Sequence, residues 1–152
     1  MKKSVVLTLI AVYILSICVV GYFGLKVKIY RPTKYAESVT IESVRNATTG
    51  ATYNLKDNGE YGKSVRVRDA EDDGVTLVFV VNIRPDNTTN KELLIEFANS
   101  EVCEVIRGSS PDGGAKQEIT IKFKEKTGCT VTFWAKDLKK CSDSVTVSFA
   151  SV

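Results

Sequence analysis

The sequence contains no histidine among its 152 residues. Ser-His-Asp and Cys-His nucleophilic machinery, imidazole acid–base chemistry and His-containing zinc sites are therefore excluded. Proline is scarce at three residues, and tryptophan and methionine occur once each. An excess of positive charge in the body of the chain is also missing. Six of the 21 Lys and Arg residues lie at or before Lys34, leaving 15 against all 18 Asp and Glu. The formal net charge of +3 thus comes from the N-terminal stretch, and nucleic-acid binding has no support in the composition. The only acidic cluster, Asp69, Glu71, Asp72 and Asp73, sits on one stretch of chain. No base, nucleophile and oxyanion donor can be named together, so an enzyme is not expected.

What is present first is an uncharged run from Ser4 to Leu25, SVVLTLIAVYILSICVVGYFGL, between Lys2-Lys3 and Lys26-Lys28. At about 1.5 Å of rise per residue, a helix of this length crosses a hydrocarbon core of roughly 30 Å. A cleaved signal peptide has an apolar core of only about 7–15 residues and a small-residue cleavage site. The run here is longer and leaves through Gly21-Tyr22-Phe23-Gly24-Leu25 into basic residues, which favours an uncleaved anchor. Leu15-Ser16-Ile17-Cys18 has the outline of a lipobox, but Ile17 stands where a small residue is wanted and the chain stays apolar beyond Cys18. Cys18 then reads as a small apolar residue of the helix. Residues 1–25 are expected to be a transmembrane anchor, residues 26–36 (KVKIYRPTKYA) a basic linker, and residues 37–152 one folded domain. About 115 residues suffice for one buried core.

From Glu37 onward the dominant period is two. Val39 and Ile41 alternate with polar neighbours, as do Val65 and Val67; Ile119, Ile121 and Phe123; and Val145, Val147 and Phe149. Residues 75–83 (VTLVFVVNI) are more uniformly apolar and suit a central strand, while residues 92–97 and 129–135 complete the set. Turn signals fall between them at Asn58-Gly59, Asp73-Gly74, Pro85-Asp86-Asn87, Pro111-Asp112-Gly113-Gly114 and Thr127-Gly128. About seven alternating strands of this kind predict an all-β antiparallel sandwich behind the single N-terminal helix.

Two stretches carry a resemblance. VVNIRPDNTTNKELLIEFANSEVCEVI (80–106) resembles the middle of a bacterial immunoglobulin-like domain of the group-2 type, and TGCTVTFWAKDLKKCSDSVTVSF (127–149) is similar to that family's closing hairpin. The likeness covers residues 75–149. Ile95 stands where the family usually has a tryptophan, and residues 45–74 are longer and more polar than its first connection. The resemblance implies an Ig-like sandwich: a surface-exposed adhesive or spacer module of the cell envelope, without catalytic residues or a cofactor.

If the strands run up and down as in such a sandwich, the connections at 85–91, 108–116 and 136–141 share the end where the linker enters. Lys136, Lys139 and Lys140 would then lie toward lipid headgroups, or simply on a solvated loop. Cys103 and Cys129 each open a strand at the opposite end, and Cys141 lies about 20 Å away along a strand. A disulfide, if one forms, is expected between Cys103 and Cys129. Asp69-x-Glu71-x-Asp73-Gly74 has the spacing of a weak Ca²⁺ ligand set; the twelfth position of an EF-hand loop is Val80, so a plain acidic turn is the simpler reading. If Val131 and Phe133 face inward, Trp134 faces outward and is a candidate contact for a protein or a sugar ring. Asn46-Ala47-Thr48 and Asn87-Thr88-Thr89 are glycosylation sequons, of little meaning in a bacterium.

The basic flanks divide the orientation argument. Four Lys or Arg residues follow the run and two precede it, which taken literally keeps the domain inside. A short lysine tail before an apolar run and the usual location of the resembled domains favour the outside, which is the orientation expected here: a single-pass protein of the cell membrane with an extracellular domain. The functional expectation is a membrane-anchored, non-catalytic module acting by binding or as a spacer, with a protein or envelope polysaccharide as partner. The alternative is an accessory subunit of a larger envelope assembly or filament, its helix packing against partner helices or a second copy through small residues such as Gly21 and Gly24.

Overall fold

In the computed structural model the described residues are 3–26, 32–68, 74–110, 112–137 and 141–150. They form two compact units, the first ending at Pro32 and the second beginning at Thr33.

The first unit is a single helix, α1 (Lys3–Lys26). Its apolar side chains are exposed round the whole circumference, from Leu7 at 68% and Tyr13 at 69% to Val20 at 71%. Two of its hydroxyls bond to its own backbone. The Thr8 hydroxyl donates to the Ser4 carbonyl and the Ser16 hydroxyl to the Val12 carbonyl, each at 2.9 Å. A helix that closes its own hydrogen bonds and shows hydrocarbon on every side meets both conditions for crossing a bilayer. By length and composition, Lys3–Gly24 is long and apolar enough to do so, as a signal sequence of the same kind would be.

The second unit is built from ten strands: β1 (Ser38–Asn46), β2 (Thr52–Tyr53), β3 (Lys56–Asp57), β4 (Lys63–Val67), β5 (Val75–Arg84), β6 (Leu93–Phe97), β7 (Cys103–Arg107), β8 (Lys116–Phe123), β9 (Cys129–Ala135) and β10 (Ser142–Phe149). They make two five-stranded sheets, ordered β2-β1-β5-β8-β7 and β3-β4-β10-β9-β6. Strands β1, β4, β5, β6, β8, β9 and β10 carry the alternating or apolar patterns, and β7 is the strand that Cys103 opens. Strands β2 and β3 have two residues each, too few to show a period. They edge the long connection between β1 and β5. All pairings are antiparallel except β4 with β10.

Alternation puts one face of each strand into a shared interior. Phe79, Phe123, Phe133, Ile41, Leu77, Ile83, Ile119 and Ile121 are fully enclosed. Phe79 of the first sheet meets Phe133 of the second with ring centroids 5.6 Å apart. Each such side chain contributes about 1.5–3 kcal/mol on removal from water. Strand β5 is apolar on its outward face as well, and Val78 and Val80 there are buried without a third layer. Arg45 faces Val78 from β1, and Glu118 faces Val80 from β8. Their side chains meet at 2.8 Å. The stems of this ion pair roof the two valines, so the charge sits in water and the hydrocarbon below it does not.

The compact unit starts a few residues before the alternating pattern does. Lys34 N donates to Thr89 Oγ1 and the Thr89 amide donates back to Lys34 O, at 2.8 and 2.9 Å. Ala36 is buried. Residues 33–36, expected as linker, thus belong to the sandwich, held by backbone bonds that leave no hydropathy signal. Residues 27–31 of the expected linker lie outside the described residues.

Candidate functional sites

Each sandwich end closes the gap between the sheets with the residues that terminate its inward-facing rows. At the near end, where Thr33 enters, the rows of β1, β5, β6 and β9 end in Val39, Ile83, Leu93 and Ala135, while those of β4, β8 and β10 end in polar residues. Asp143 and Lys63 continue the inward registers of β10 and β4, and both reach across to β1. The Asp143 carboxylate accepts the Ile41 amide at 2.7 Å, Lys63 Nζ donates to the Ile41 carbonyl at 2.8 Å, and the two side chains pair at 2.6 Å. The reason is local. β2 covers β1 only at Val44 and Arg45, so the backbone of Ile41 has no strand on that side. Gln117 continues the inward row of β8. It is buried, accepts from the Ser110 amide at 3.0 Å and donates to the Lys91 carbonyl at 2.7 Å. Ser109 takes the Leu93 amide at 2.6 Å, and Asp137 takes the Ala36 amide at 3.2 Å. Polar residues at inward positions of an otherwise apolar period were the signal for Lys63, Gln117 and Asp143.

Beside this network lies an open depression of about 510 Å³ lined by Glu37, Arg84, Pro85, Asp86 and Asn87, with the Arg84–Pro85 peptide cis. A smaller one of about 300 Å³, lined by Thr52, Tyr53, Asn54, Arg66 and Arg68, lies between β2 and β4. Lys136 is tied to Glu92 at 2.7 Å, whereas Lys139 and Lys140 lie outside the described residues.

At the far end the terminating residues are apolar or thiols, apart from the buried Asn46 that ends β1. Cys103 pairs with Phe123 at the edge of the first sheet, and Cys129 pairs with Val147 in the second. Both cysteines are buried free thiols, and they face each other as neighbours across the gap. Burial, then the contact with Cys129, pushes the Cys103 thiol up to about 12 from an ordinary 9.0. Cys129 Sγ also lies 3.6 Å from the Asn99 carbonyl oxygen. Cys141 is at the near end instead, its Sγ donating to the Ala36 carbonyl at 3.2 Å. The structure therefore brings Cys103 and Cys129 together and leaves Cys141 apart. Phe149 closes this end against Phe123, with ring centroids 5.9 Å apart.

Gly74 at the start of β5 has a φ of +97°, and a Cβ there would run into the Phe123 carbonyl. Only glycine combines that backbone with that approach.

Trp134 lies on the outward face of β9, between Leu94 and Ser142, with Val131 and Phe133 facing the core. It is half-buried rather than free-standing, and its indole nitrogen is enclosed without an acceptor among the described residues. Asp69, Glu71 and Asp73, the candidate Ca²⁺ ligands, lie outside the described residues. Among the described residues no group of three His, Cys, Asp or Glu side chains is placed to hold a metal ion. Asn46 is buried, and its side-chain oxygen caps the turn through the Thr48 amide at 2.8 Å, whereas Asn87 is exposed.

No protein-family model, curated protein or solved structure matches this chain.

Proposed function

We propose that the chain is a membrane-tethered, non-catalytic β-sandwich module, held by α1 and acting outside the cell by contact or as a spacer. The observation that carries this reading is the helix surface. It is apolar on every side, with the Thr8 and Ser16 hydroxyls turned back to its own carbonyls, so water is the one environment it does not suit. The sandwich is a separate compact unit with its own core, as a tethered head must be. An Ig-like reading is supported by strand order. β1-β5-β8-β7 facing β10-β9-β6 has the order of an A-B-E-D sheet over a G-F-C sheet, with β4 as an added strand parallel to the last. In that reading β2 and β3 decorate the connection after the first strand.

The test is protease shaving of intact cells expressing the full chain, followed by membrane extraction. Loss of the sandwich with a helix fragment kept in the membrane is the expected result. A sandwich protected until lysis would overturn the outward orientation, and a sandwich released by alkaline extraction would overturn the tether.

The assembly-subunit reading is favoured by one feature, a shallow apolar notch at Ser16, Ile17, Val20 and Gly21. Leucine at Gly21 and Gly24 separates the two. A tether retains its behaviour, while a packed helix loses its partner.

A further inference from the structure

We propose that Cys103 and Cys129 form an inter-sheet disulfide when the chain folds in the presence of a disulfide oxidant, and that closure of the sandwich over the reduced pair blocks the same reaction. The inference rests on placement within the sandwich and holds on either side of a membrane, so it stands apart from the tethering reading.

Three observations converge. The two thiols come from strands of opposite sheets, β7 and β9, and both are buried in the one core at its far end, opposite Phe123 and Val147 in their own sheets. Neither competes with Cys141, which is bonded to Ala36 at the other end of the strands. The chain between them runs through β8 of the first sheet and crosses once to the second. Ala98 N donates to Thr130 O and Lys124 N to Val102 O, both at 2.9 Å, so the backbones on either side of the pair are fixed.

The step balances as thiol–disulfide exchange. One cysteine loses its proton and attacks a sulfur of a small disulfide such as oxidised glutathione, releasing one equivalent of the reduced thiol and leaving a mixed disulfide. The second cysteine then loses its proton and attacks the protein sulfur, expelling the second equivalent. Two S–H bonds are lost, one S–S bond forms between Cys103 and Cys129, and two electrons pass to the oxidant. Both attacks need a thiolate and access. In the closed sandwich both cysteines are buried and Cys103 holds its proton. The state of the pair is therefore set while the chain folds.

The experiment uses the full chain in detergent micelles. In one arm it is unfolded in denaturant and refolded with mixed oxidised and reduced glutathione. In the other, the folded reduced chain meets the same mixture without denaturant. After alkylation, peptide mapping should link the Cys103 and Cys129 peptides in the first arm, with Cys18 and Cys141 alkylated. Bridging in the second arm should be slower by at least about a hundredfold, the scale set by opening of a stable domain. The bridged form should raise the folding equilibrium constant roughly a hundredfold over the reduced form, seen as a higher denaturant midpoint. Cys141→Ala should keep the link and Cys129→Ala should abolish it. Because Cys129→Ala also removes a core side chain, the mapped linkage in Cys141→Ala is the deciding result. Linkage through Cys141, free thiols throughout the refolded sample, or equal rates in the two arms would overturn the proposal.

Discussion

The two ends of the sandwich differ in what they add to a shared apolar lining: buried polar networks at one, thiols and aromatic rings at the other. At the near end Lys63, Asp143 and Gln117 hold backbone groups of neighbouring segments through directional bonds. At the far end Phe123, Phe149, Cys103 and Cys129 fill space by contact. A hydrogen-bonded closure fixes which residue meets which, and leaves unpaired groups when one member is lost. A packed closure tolerates exchange of similar shapes and fails mainly where volume or backbone room disappears. Mutations at the two ends should therefore differ in kind as well as in size.

The largest effect is expected where packing has no slack. Gly74→Ala should cost about 3 kcal/mol or more, since it adds a methyl against a carbonyl at a positive φ. A large fall in urea midpoint would check it. Asp143→Ala comes next, at about 2–3 kcal/mol, because Lys63 and the Ile41 amide lose their partner together. Asp143→Asn should recover part of that loss, and no recovery would mean that space rather than bonding closes the near end. Gln117→Leu should cost about 2 kcal/mol by stranding the Lys91 carbonyl and the Ser110 amide. By contrast Phe123→Leu at the far end should cost only about 1.5 kcal/mol, as an exchange of apolar shapes. A larger loss there than in Gln117→Leu would break the comparison.

The smallest effects are pH slopes. With the thiol of Cys103 raised to about 12 from 9.0, the folded reduced chain keeps a proton that the unfolded chain gives up. Stability should be independent of this group below pH 9 and fall as pH rises from 9 toward 12. Cys103→Ala should flatten that slope. Glu42 acts in the other direction. Hydrogen bonds from Lys116, then Asn82, lower its carboxyl below the ordinary 4.5, so its contribution is present above that value and is lost as pH falls further. Glu42→Gln should remove this small acid dependence, read from urea midpoints across the acid range.

Much of the architecture was legible because period two is a local property. The strands from β4 to β10 with clear alternation, and the helix, follow from residues a few positions apart. The up-and-down strand order of the resembled sandwich also put Cys103 and Cys129 at one end and Cys141 at the other. The pairing of β4 with β10 was not legible. It joins segments about eighty residues apart, and nothing in Lys63–Val67 names its neighbour. Nor does the sequence show that Val78 and Val80 are roofed by Arg45 and Glu118, since that roof depends on registers across three strands. Lys63, Gln117 and Asp143 lay in between. Their place in apolar rows was visible, and their partners were not.

Strands β1 and β10 run in the same direction, so the chain enters the sandwich at one end and leaves at the other. Tension applied between Thr33 and Ala150 would drag β1 and β10 lengthwise in opposite senses. The rungs between β4 and β10, from Lys63 opposite Val145 to Val67 opposite Phe149, lie across that pull and would yield together. Such a ladder resists stretching far better than one opened from its end, so the sandwich can be pulled taut without unravelling.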